Sequence, residues 1–339
     1  MKKLKILIVT TLLLFVLTAC NLEGLNDKDK YEVVSITHKV SKFEKMDGET
    51  AVYKKIDVTE DFYVNPRKVV IFSWAVADVF NYFGLEKIGI ETLGLPTETS
   101  NVPSLIKGLN DIKYIDAGTL HIINYDAIDL INPDLIILDG RTASEYEYIK
   151  DNYPNINVLD ASSTSYSLTQ QKQIFNNLGK IFTNIKDNLN KEIADFELAF
   201  IEISEIAKSK RAMFIMLNGN KISDFSHEQS RYGTLFNEFG FLVARLENST
   251  EITGSHGREI GYEAIDEINP EIIFLMDRAS VVEGSSSDKS FLEDPILSDV
   301  YAIKNNLVFD LNAEAWYTVT GGISATKQMI KDVSAFINK

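Results

Sequence analysis

The sequence predicts an α/β fold of two Rossmann-like lobes joined by one long helix. Three observations carry this. INPDLIILDGR at 131–141 returns as INPEIIFLMDR at 268–278, and a near-copy at a fixed offset marks two halves built on one plan. Around each copy, short apolar runs alternate with segments of helical period, as in parallel strands covered on both faces and joined by helices. Between the halves lie about forty residues with apolar side chains at helical spacing and no Pro.

The elements follow in order. MKKLKILIVTTLLLFVLTAC opens with Lys2, Lys3 and Lys5, continues through an apolar core and ends at Cys20. Residues 1–19 thus have the parts of a secretory signal peptide. A membrane-spanning helix is the competing reading, and the apolar stretch is short for one. LTAC resembles the lipobox of bacterial lipoproteins, and Cys20, the single cysteine of the chain, stands where lipidation would fall. Residues 20–30 are therefore expected to be a lipid-bearing Cys and a polar tether to the outer face of the cell membrane. One cysteine allows no intramolecular disulfide and no cysteine-built zinc site. The net charge is −15, and loss of the three leader Lys takes it to −18. That argues against nucleic acid as a partner and makes any gathering of Arg conspicuous.

The N-terminal lobe is expected over 31–183. YEVVSITHKVSKFEK and AVYKKIDVT alternate like half-exposed strands. KVVIFS reads as a buried strand, AVADVFNYFG as a helix ended by Gly, and KIGIET as a further strand. A helix at Tyr125–Ile131, a Pro stop and a strand at Leu135–Leu138 lead to Arg141, and NINVLDA adds another strand. The connecting helix is expected over 184–209, with Gly179 as a break before it. The C-terminal lobe, 210–339, repeats the grammar with RAMFIML, TLFNEFG, the second copy, NLVFDLN and a last helix from Ala325 to Asn338.

Ligands of parallel α/β sheets bind beyond the carboxyl ends of the strands, and both Arg141 and Arg278 fall just past such an end. Arg231, in the polar loop HEQSRYG, is a third candidate. Each guanidinium is a planar fork of donors suited to anionic oxygens. A solvated loop charge is the alternative for any one Arg; two at matching repeat positions in an acidic chain favour anion binding. Asp126 and Glu263 also match between the copies. Acids at a helix start complement its dipole, which is a sufficient account by itself.

From about Lys68 to the C-terminus, the two lobes, their joining helix and the doubled strand-Arg unit resemble the substrate-binding lipoproteins of ferric-siderophore ABC importers. The catecholate branch, which takes petrobactin and enterobactin derivatives, is the nearest likeness. The resemblance implies a helical-backbone fold of the class III periplasmic-binding-protein type. It implies Arg141, Arg231 and Arg278 as holders of catecholate oxygens, with His256 in GSHGREIGYE and Tyr317 in AWYTVTGG completing the iron shell. A histidine in a loop and a tyrosine packed beside Trp316 are the plainer readings of that pair. Trp74 is assigned to the ligand-binding set. Asp126 and Glu263 resemble docking points for Arg of a membrane permease. No intrinsic cofactor is implied, since ferric iron would arrive within its chelate, and a monomer is expected. Three Arg would nearly balance the three negative charges of a ferric tris-catecholate. The loop VVEGSSSDKS departs from a clean motif. The same fold binding haem, a hydroxamate siderophore or cobalamin is the alternative. No nucleophile–base motif or phosphate-cradling glycine loop is present, so the reading is a binding protein and not an enzyme.

Overall fold

The computed structural model describes residues 32–162, 166–246 and 257–338. The expected leader and tether, Cys20 and His256 lie outside the described residues. Two long strands come first, β1 (Val33–Asp47) and β2 (Thr50–Tyr63), paired antiparallel. Their alternation has a structural purpose. Ile36, His38 and Val40 of β1 are buried, while the residues between them are exposed.

Strands β3 (Lys68–Ile71), β4 (Thr92–Leu95), β5 (Ile115–Asp116), β6 (Leu135–Leu138) and β7 (Asn157–Asp160) form the first sheet in the order β5-β4-β3-β6-β7. All neighbours are parallel. The second sheet comprises β8 (Arg211–Asn218), β9 (Lys221–Asp224), β10 (Leu242–Val243), β11 (Arg258–Glu259), β12 (Ile272–Asp277) and β13 (Val308–Leu311). Its parallel part, β10-β8-β12-β13, follows the order of β4-β3-β6-β7. The halves differ by a hairpin. At Gly219, φ 60°, β8 turns back as antiparallel β9, and β11 pairs with β9.

The repeated INP stretch is first of all a device for entering a strand. Asn132 and Asn269 take left-handed conformations, φ 46° and 45°, and close the helices Tyr125–Ile131 and Tyr262–Ile268. Asn tolerates that region where most residues do not. Pro then forbids helix continuation. The following acid reaches the adjacent central strand: Asp134 Oδ2 accepts from the amides of Arg67 and Lys68, each 2.9 Å, and Glu271 Oε2 accepts from the Arg211 amide at 2.9 Å.

Inside the sheets, burial has period two on both faces. Val69, Ile71, Leu135 and Ile137 face one core that continues into the second lobe through Phe214, Ile272, Phe274 and Trp316. Val70, Phe72, Ile136 and Leu138 face a separate core outside the first sheet, and Met213, Ile215, Ile273 and Leu275 face one outside the second. The lobes thus share their largest core. Helix Leu168–Ile181 runs through Gly179, and the break falls at Phe182 instead. A Cβ on Gly179 would stand 3.3 Å from Lys186 Cα, so glycine here lets chain pass chain rather than ending a helix. Helix Lys186–Ala207 then spans 22 residues, about 33 Å at 1.5 Å each. KIGIET is also corrected: Leu85–Ile88 is one helical turn closed by Gly89 at φ 93°, and the strand starts at Thr92. Among the described residues no helix is long and apolar enough to cross a membrane.

Side chains bind the lobes to each other. Asp78, in helix Trp74–Phe83, accepts from the Ala325 amide at 3.1 Å, capping helix Ile323–Ser334, whose own Gly322 offers no side chain. Gln171 donates to Gly321 O (2.9 Å) and Thr326 Oγ1 (2.8 Å). Lys327 reaches both Tyr82 and Glu192. Glu314 accepts from Ser104 and Leu105 amides at 2.8 and 2.7 Å. Burial raises the Asp78 carboxyl to about 6, although bonds from Ser324 and Ala325 oppose the shift. The folded state therefore holds this proton more tightly than the unfolded chain. The stability it contributes is complete below the ordinary value of 3.8 and is lost as pH rises through about 6. Asp78→Asn is expected to flatten that part of the Tm-against-pH curve, measured by calorimetry between those limits.

Candidate functional site

A cavity of about 320 Å³ opens between the carboxyl ends of the two sheets, near the lower end of the range for ligand sites. Its first wall begins at Trp74. Ser73 caps the helix, its side chain accepting from Val76 N, so Trp74 is held at the first helical position, 3% exposed. Asp139, Gly140 and Arg141 follow β6 and continue this wall. Tyr166, Gln170 and Gln171 line it from the start of helix Leu168–Ile181.

Opposite stand Arg231, Trp316 and Tyr317. Tyr317 lies in a single π-helical turn, Glu314–Thr318, between β13 and the last helix; such turns recur at functional sites. Two guanidinium groups bracket its ring. Arg231 lies over it at 4.3 Å and donates to Tyr317 O at 3.1 Å. Arg278 approaches at 5.2 Å and donates from Nε to Tyr317 Oη at 3.0 Å, its Nη1 bonding Asn218 Oδ1 at 2.6 Å.

Of the residues singled out in the sequence, Trp74, Arg141, Arg231 and Tyr317 line one cavity. Arg278 does not line it and reaches it through the Tyr317 phenol. Its own place, at the end of β12, matches that of Arg141 after β6; the hydrogen bond to Asn218 holds it back. Asp126 and Glu263 are exposed, each in the first turn of its helix. Sequence reading missed Asp139, Gln171 and Tyr166. An Asp beside Arg141 carries no periodic signal, and Gln171 shows only as a polar residue within an amphipathic helix.

The electrostatics are those of an anion site with one built-in acid. Burial raises Tyr317, but the Arg278 hydrogen bond and the charges of Arg231, Arg278 and Arg141 outweigh it and hold the phenol below its ordinary range. Asp139 behaves oppositely: burial lifts its carboxyl above the ordinary range, despite the Gly140 amide, Arg141 and Arg231. Its Oδ2 stands 3.7 Å from Arg141 Nη1. The cleft can therefore receive anionic oxygens and can stabilise a phenolate at Tyr317.

Residues 69–315 match the family of periplasmic binding proteins. The chain belongs to this family. As a periplasmic binding protein it is 30% identical, over 344 residues and the full length of both chains, to the petrobactin-binding protein YclQ of Bacillus subtilis (strain 168). The solved structure of YclQ matches it with a TM-score of 0.71 at 27% identity, covering 89% of this chain and 99% of that one. The catecholate-siderophore binding protein VctP of Vibrio cholerae gives 0.69 at 25% identity, covering 82% and 96%. The two-lobed arrangement expected from the sequence is the class III form of the periplasmic binding protein fold.

Proposed function

We propose that the protein is an extracytoplasmic, lipid-anchored binding protein that captures a ferric siderophore of catecholate type and delivers it to an ABC permease for iron uptake. The observation that carries this is the Tyr317 phenol held between Arg231 and Arg278, with Arg141 facing the same cavity. Catecholate oxygens are anionic, and a guanidinium fork binds them with both charge and direction. Names of the relatives support the same cargo. The protein acts by stoichiometric binding and not by turnover. Cys20 carries the anchor, and Asp126 and Glu263 meet basic residues of the permease, one from each lobe.

In this reading iron enters as part of its chelate. A chelator with four donors leaves two positions of an octahedral ferric ion open, and Tyr317, as a phenolate, fills one. His256 is the proposed second ligand. Charged Arg neighbours lower the cost of that phenolate at neutral pH.

Titration of Trp fluorescence with a panel of ferric siderophores tests the cargo. Catecholates are expected to bind; binding of hydroxamates in their place would reject the assignment. The ligand role is tested by visible spectroscopy. A ferric tetradentate catecholate should show a shifted charge-transfer band that Tyr317→Phe abolishes, while a hexadentate chelate, with no open position, should look the same in both proteins.

A further inference from the structure

We infer that two copies of this chain pair through the outward face of helix Lys186–Ala207, antiparallel and crossing at Leu198. The pairing is independent of what the cleft holds, and it replaces the monomer expected from the sequence. The helix buries Ile193, Phe196, Phe200 and Ile203 in the core shared by the lobes. On the opposite side, exposed residues recur at spacings of four and three from Asp187 to Lys208. That repeat is the one by which a helix packs along another helix.

The middle of this face is apolar. Ala194, Leu198 and Ile201 lie there, with Leu198 57% and Ile201 61% exposed. Single exposed aliphatics are ordinary, but these follow one another along the centre of one face. Charges occupy the two ends, Asp187 and Lys191 before the apolar stretch, Glu205 and Lys208 after it.

The order of the signs selects the occupant. A two-fold axis at Leu198 sets Leu198 against its own copy and Ala194 against Ile201. It also sets Lys191 against Glu205, and Asp187 against Lys208, so each charged level of the seam joins opposite signs. A parallel pair would set every charge against itself. Sliding the antiparallel pair to either neighbouring register would bring Lys191 to Lys208, or Asp187 to Glu205. The complementary arrangement is also the self-matching one that a closed two-fold dimer requires. Within one chain Lys191 pairs with Asp195 at 3.1 Å, and Lys208 pairs with Glu205. Both pairs are exposed and contribute little, so the cations are free to exchange to the second copy. One flank opposes the pairing, because Asp195 comes opposite Glu202 of the second copy. That repulsion limits the strength of the dimer and gives a test of opposite sign.

The full-length protein is purified in detergent and its mass followed by sedimentation equilibrium. Wild type should dimerise. Lys191→Glu and Leu198→Glu should each weaken the dimer at least about tenfold, as like charges or a buried carboxylate at an interface do. Lys191→Glu/Glu205→Lys should recover most of the association, and Glu202→Lys should tighten it. Leu198→Cys should form a disulfide with its own copy under mild oxidation. Lys180→Cys, exposed but off the seam, should not, and wild type controls for Cys20. Cargo titration of these variants should match wild type, since none of the positions lines the cavity. A wild type that stays monomeric, a dimer that Lys191→Glu leaves intact, or a double variant no better than Lys191→Glu overturns the pairing. A Glu202→Lys dimer looser than wild type overturns the register.

Discussion

Arg231→Ala is expected to weaken capture of a ferric tris-catecholate by about a hundredfold. One side chain performs three tasks. It presents a charged fork to the cavity, lies over the Tyr317 ring at 4.3 Å and bonds Tyr317 O at 3.1 Å. Truncating one partner of a buried, hydrogen-bonded charge pair costs about 2–5 kcal/mol, and a hundredfold is about 2.7 kcal/mol, near the low end of that range. The low end fits a cleft open to water. Arg231→Lys keeps the charge but loses the fork and most of the stacking, so its loss should fall between the two. The measurement is a fluorescence titration read on Trp74 and Trp316. A loss below about threefold for the alanine variant would remove Arg231 from the binding set.

Gly322→Ala should be the most damaging small substitution at the junction of the lobes. Backbone strain is not the reason, because φ is −78° at this position. An added Cβ would lie 2.3 Å from Asp78 Oδ2 and 2.6 Å from Asp78 Cβ, and Asp78 is wholly buried. The methyl group must push helix Trp74–Phe83 away from helix Ile323–Ser334, breaking the cap on Ala325 N. Overpacking of this kind costs about 1–3 kcal/mol. Thermal unfolding should show a lowered Tm, and cargo affinity should fall too, since Trp74 and Gly321 line the cavity from the same two segments. Asp78→Gly in the same chain removes every contacting atom, so the double variant should lose less than the sum of the two single changes. Strict additivity of the two changes would mean that the contact is not the cause.

Much of this architecture was readable beforehand, and the reasons are specific. The helix Tyr125–Ile131 and the strand Leu135–Leu138 fall where the INP stretch predicts, because a left-handed Asn and a Pro leave the chain few choices. KIGIET failed because alternation over six residues does not distinguish a strand from one helical turn closed by glycine; tertiary packing decided. The β8–β9 hairpin was missed although Asn218–Gly219 is a strong turn signal. At the cleft, Arg141 was visible just past a strand end and Arg231 in a polar loop before a helix, whereas Tyr317 came only through the family resemblance. Asp139 was not visible, and neither was the retreat of Arg278 behind Tyr317, because each depends on side-chain geometry across elements distant in sequence.

Asp139 beside Arg141 has a consequence for life in a medium rich in simple salts. Phosphate, sulfate and chloride all compete for exposed guanidinium groups, and an empty receptor with bare cations would spend its time occupied by them. A resident carboxylate 3.7 Å from Arg141 raises the threshold for entry. A large multivalent ligand, as proposed above, would gain Arg231 and the aromatic walls as well, contacts that a small inorganic anion would be too small to make together. Repulsion by that acid grows with the visitor's charge, so any preference for a large ligand has to come from its added contacts with Arg231 and the aromatic walls.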